Sequence, residues 1–94
     1  MILTKEILEK NGFVTNHPER VLPKYHYSNP EGSYRVDIQA EYFPGTNVLG
    51  WNVSGWSTIN GKIIRRASAS VIETVEDLQS LINLCKIDLL IYSE

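Results

Sequence analysis

The chain holds a single cysteine, Cys85, so no disulfide can form within it. Its two histidines, His17 and His26, are scattered, and with one cysteine they cannot build a zinc site at recognisable spacing. There is no basic excess either: nine Lys and Arg face eleven Asp and Glu, for a formal charge of −2. Proteins that grip nucleic acid usually carry such an excess, so general nucleic-acid binding is disfavoured. No apolar run approaches the roughly 20 residues that span a bilayer. The start, Met1-Ile2-Leu3-Thr4-Lys5-Glu6, has no apolar stretch behind a basic opening, which predicts a cytoplasmic protein without membrane contact. In that setting the Asn52-Val53-Ser54 sequon is accidental. A glycine-rich phosphate loop is missing as well, because Gly45, Gly50, Gly55 and Gly61 have turn or strand spacing. No cofactor and no metal are expected.

What remains is the composition of an ordinary globular protein, 43% hydrophobic and 21% charged over 94 residues. Residues 1–94 predict one α+β domain: a short N-terminal helix, a four-stranded antiparallel β-meander, and a C-terminal helix packed on one sheet face. A chain this short buries only about 60–65% of its unfolded surface, so dimerisation would be a natural aid to stability.

The first helix is bounded by local signals. Thr4 is an N-cap, Leu3 and Leu8 suit a hydrophobic staple, and Asn11-Gly12-Phe13 reads as a left-handed stop, giving a helix over 4–11. Residues 14–32 are broken by Pro18, Pro23 and Pro30. Within them Lys24-Tyr25-His26-Tyr27-Ser28 suits a short strand, at an edge because Pro23 cannot donate to a ladder. From 33 to 43, Tyr34, Val36, Ile38, Ala40 and Tyr42 alternate with Arg35, Asp37, Gln39 and Glu41, the pattern of a strand with one face in water.

Asn60-Gly61 predicts a type I′ hairpin between strands 48–59 and 62–72. An unbroken register pairs 59 with 62, 57 with 64 and 55 with 66. It puts Leu49, Trp51, Val53, Ile59, Ile64 and Ile72 on the helix side. Trp56, Ile63, Ala67, Ala69 and Val71 then lie on the other side with Asn52, Ser54, Thr58 and Arg65. A bulge at Gly50 or Gly55 would exchange the faces beyond it. Thr74-Val75-Glu76-Asp77 opens the second helix, and Val75, Leu78, Leu81, Ile82 and Cys85 form its apolar stripe, widened by Leu84. Leu89-Leu90-Ile91-Tyr92 is a final strand or a docked tail.

The two ends carry a resemblance. Leu3-Thr4-Lys5-Glu6-Ile7-Leu8-Glu9-Lys10-Asn11-Gly12-Phe13 resembles the opening of small proteins of Bacteroides-type gut bacteria and their phages. Val75-Glu76-Asp77-Leu78-Gln79-Ser80-Leu81-Ile82-Asn83-Leu84-Cys85, with Ile87-Asp88 after it, is similar to their closing helix. Those proteins often have Gly after the Cys, where this chain has Lys86. The resemblance implies fold and a phage or mobile-element origin, and no chemistry.

Three functional readings follow. In the first, the chain is a non-enzymatic protein-binding module, with Trp56 and Arg65 opposed on a flat face of small residues and serving as anchors. Its partner is a protein, such as a host protein that a phage accessory protein would inhibit, or a second copy of the chain. In the second, Arg35, Arg66, Tyr25, Tyr27 and Trp51 stack on and pair with a nucleotide-type small molecule. The third, an enzyme using Cys85 or the acids Asp37 and Glu41, ranks last, because Cys85 on an apolar stripe reads as a buried hydrophobe.

Overall fold

A computed structural model describes residues 1–93. The elements are α1 (Lys5–Lys10), β1 (Lys24–Ser28), β2 (Tyr34–Tyr42), β3 (Leu49–Ile59), β4 (Lys62–Ile72) and α2 (Val75–Leu84). The strands form one antiparallel sheet in chain order, so β1 and β4 are its edges, as Pro23 predicts for β1. Both helices contribute to a single core on one sheet face, which also takes in Tyr25, Val36, Ile38, Trp51 and Val53.

Six residues are too few for a stable isolated helix, so α1 depends on its ends and its packing. The Thr4 hydroxyl accepts from the Ile7 amide, and Leu3, Ile7 and Leu8 are buried. At the other end Gly12 has φ +87°, with Gly12 N–H donating to Glu9 O and Phe13 N–H to Leu8 O. Those paired reverse bonds make a Schellman stop. The same device ends α2 without glycine: Lys86 has φ +56° and donates to Asn83 O, while Ile87 donates to Ile82 O. Buried Ile87 holds the turn in place although a lysine pays the left-handed penalty. Lys86→Gly should therefore stabilise the fold by about 0.5–1 kcal/mol. Urea denaturation would show this as a higher midpoint at unchanged slope.

The alternation in β2 is realised, with Val36, Ile38 and Ala40 buried and Arg35, Asp37 and Gln39 on the open side. The β3–β4 turn is left-handed at Asn60 (φ +53°) and Gly61 (φ +79°), as a type I′ hairpin requires.

The hairpin register departs from expectation. Ile59 pairs with Lys62 and Thr58 with Ile63 as expected, but Ile64 is then an extra residue in β4, so Ser57 pairs with Arg65. Through 56–66, 55–67, 54–68 and 53–69 each β4 residue faces the side opposite to the expected one. A second extra residue, before Ile72 pairs with Trp51, ends the exchange. Both bulges lie in β4, not at Gly50 or Gly55 of β3. The physical reason lies across the sheet. The shifted register turns Ala67 and Ala69 toward the core, where the unbroken one would have placed Arg66 and Ser68.

The β3 glycines serve close approach instead. A Cβ at Gly55 would stand 3.1 Å from Cys85 Sγ, and one at Gly50 would stand 2.7 Å from Val71 Cγ1. Val71 marks the second bulge with φ +52°, a conformation that β-branched residues avoid. Its amide is satisfied by Asn52 Oδ1 at 2.9 Å.

The α2 stripe buries Val75, Leu78, Leu81, Ile82 and Cys85, but Leu84 is exposed and does not widen it. Residues 89–92 form no strand. They dock as a tail, clamped by side-chain amides of both helices: Gln79 bonds the backbone of Leu89 and Ile91, and Asn11 bonds that of Tyr92 on both N–H and C=O.

Candidate interaction face

The face of the sheet away from the helices carries neither helix, and its side chains follow from strand parity. Ser28 pairs with Arg35, Arg35 with Trp56, and Trp56 with Arg66, giving one cross-strand row. The next row reads His26, Asp37, Ser54, Ser68, and the one after it begins Lys24, Gln39, Asn52. Trp56 is half-buried at the centre of its row. The serines, with Asn52 and Gln39, leave a shallow groove of about 330 Å³ beside it.

This geometry corrects the expected anchor pair. Arg65 is opposite Ser57, not Trp56, and so belongs to the helix side of the hairpin. There Ser57 is buried and donates from its hydroxyl to the Cys85 carbonyl. The arginine across from Trp56 on β4 is Arg66, and Arg35 flanks the indole from β2. Arg35 is held along its strand by two bonds to the Asp37 carboxylate, Nε at 2.9 Å and Nη2 at 3.0 Å. That pairing raises the guanidinium pKa above its ordinary value. Arg66 is exposed and makes no side-chain hydrogen bond or ion pair among the described residues. Sequence reasoning placed Trp56 on the correct face but missed Arg66 as its neighbour, because one slipped residue in β4 leaves no local trace.

The residues proposed to stack on a nucleotide do not share a site. Arg35 and Arg66 are on the open face, while Tyr25 and Trp51, each 1% exposed, sit in the core on the other side. Burial, then the hydrogen bond to Glu9, pushes the Tyr25 hydroxyl pKa up to about 12. Tyr27 is on the core side too, stacked on Tyr34 with planes 8° apart.

The β4 edge borders this face along eleven residues with no strand beyond it among the described residues. Lys62, Arg65 and Arg66 are its charged side chains and none is acidic, against a negative chain overall. Cys85 lies wholly buried, and burial pushes its thiol pKa up, the setting of a packing residue. Among the described residues no group of three or more His, Cys, Asp or Glu is placed to hold a metal ion, and no helix is long and apolar enough to cross a membrane. Compared with known proteins, the chain matches no family model, no curated protein and no solved structure.

Proposed function

We propose that the chain is a non-enzymatic protein-binding module whose contact surface is the open face of the sheet. One observation carries this reading: Trp56 stands between Arg35 and Arg66 in a single row on a face that neither helix covers. Tryptophan and arginine are the residue types most enriched where binding energy concentrates. The small side chains around them give a partner flat access, and the rigid sheet limits the entropy lost on docking. The resemblance of the two ends to small proteins of Bacteroides-type gut bacteria and their phages favours a host protein as the partner. A second copy of the chain is the alternative.

The test uses tagged protein expressed in its natural host, with captured partners quantified for the wild type and for folded variants. Trp56→Ala should weaken capture by about 30-fold, equivalent to about 2 kcal/mol, and Arg66→Ala by a smaller factor. Arg65→Ala, on the opposite face, should leave it unchanged. Wild-type capture by both Trp56→Ala and Arg66→Ala would sink the assignment. If the partner is a second copy, sedimentation will show a dimer that Trp56→Ala converts to monomer.

A further inference from the structure

We propose that a phosphate-type oxyanion binds in a polar cavity at the β1 edge, which meets the Trp56 row at Arg35. The cavity, about 270 Å³, is formed where the loop following α1 turns back over β1 and β2. His17 and Arg20 come from the loop, Lys24 and His26 from β1, and Arg35 and Asp37 from β2. Nitrogen donors from three separate segments thus converge on one concavity, in a chain whose formal charge is −2.

The acids in and beside the cavity are already engaged. Asp37 is held by both bonds from Arg35, and Glu19, outside the lining, lies 3.4 Å from His17 Nδ1. The side chains of Arg20, Lys24 and His26 make no hydrogen bond or ion pair among the described residues, so their donors are available to a ligand. A guanidinium and an ammonium at one concavity match the bidentate and point-charge modes by which proteins hold phosphate oxygens. The volume is below the ~300–1,000 Å³ of drug-sized ligand sites, and no Phe, Tyr or Trp is among its lining residues. An oxyanion group fits the space and the donors around it.

The experiment is an amide chemical-shift titration with inorganic phosphate at constant ionic strength, repeated with a nucleoside monophosphate. Saturable shifts confined to residues 15–20, 24–26 and 35–37 are expected. Arg20→Ala and Lys24→Ala should each weaken binding at least tenfold. Both positions are exposed, one in a loop and one on an edge strand, so folding should survive. Trp56→Ala and Arg66→Ala should leave phosphate binding intact, which separates this site from the protein-binding anchors. Equal affinity for the monophosphate and for phosphate means that the oxyanion alone is read; tighter monophosphate binding means that the site also holds an attached group. Non-saturating shifts spread over all lysines and arginines, or unchanged binding in Arg20→Ala and Lys24→Ala, would overturn the proposal.

Discussion

Trp51→Ala should destabilise the fold by about 3–5 kcal/mol and leave much of the protein unfolded at 25 °C. The indole is 1% exposed, meets the Tyr25 ring edge-on at 6.4 Å, and donates from Nε1 to the Leu3 carbonyl at 3.2 Å. Truncation would open a cavity at the centre of the core. It would also remove the donor that ties β3 to the segment preceding α1, whose carbonyl would be left without that partner. Trp56→Ala, five residues along the same strand, should change stability by less than about 1 kcal/mol, because the open face lets water replace the ring. Urea denaturation followed by far-ultraviolet circular dichroism distinguishes the two. Equal losses would mean that the open face is covered in the free protein, and would remove the basis for a contact surface there.

Gly55→Val should cost about 1–3 kcal/mol through overpacking, and the loss should shrink when Cys85 is also changed to Ala. A side chain at position 55 would enter the space beneath α2, where its Cβ already meets Cys85 Sγ at 3.1 Å and Leu81 Cδ2 at 3.5 Å. The nearer of these atoms is the one that Cys85→Ala removes. A double-mutant cycle measured by denaturant unfolding should therefore give a coupling of about 0.5 kcal/mol or more, with the double variant more stable than the sum of the single losses predicts. Strict additivity would show that the helix lifts from the sheet as a unit and that the contact between residues 55 and 85 is unimportant.

The elements that were legible in the sequence are those whose causes are local. Thr4, Gly12 and Phe13 specify the ends of α1 through bonds that span at most five residues. The period-two run in β2 needs only the pleat to separate buried from open positions, and Asn60-Gly61 needs only the left-handed region to close the hairpin. Trp51 and Trp56 stand at an odd spacing in one strand, so their opposite fates follow from parity.

The candidate sites were legible only in part. Trp56 was assigned to the open face from its own strand, but its arginine was misassigned, because Arg65 and Arg66 exchange roles when one residue bulges from β4. The cavity at the β1 edge had no signal at all. His17 and Arg20 reach Lys24 and His26 only through a loop path held by the backbone bonds between Val14 and His26 and by the Gln39 side chain on Leu22 O.

By itself, then, the sequence determined the element order, the caps, the turns and the buried faces of β2 and β3. Each of these is a short-range competition among backbone conformations, decided by neighbouring side chains. Only the tertiary structure decided the β4 register, and with it which arginine flanks Trp56. The reason is that α2 presses on Gly55 and Ala67, where a small apolar residue packs and an arginine would lose its hydration. That choice depends on atoms some twenty residues away in the chain, and the bulge at Ile64 is the backbone's response to it.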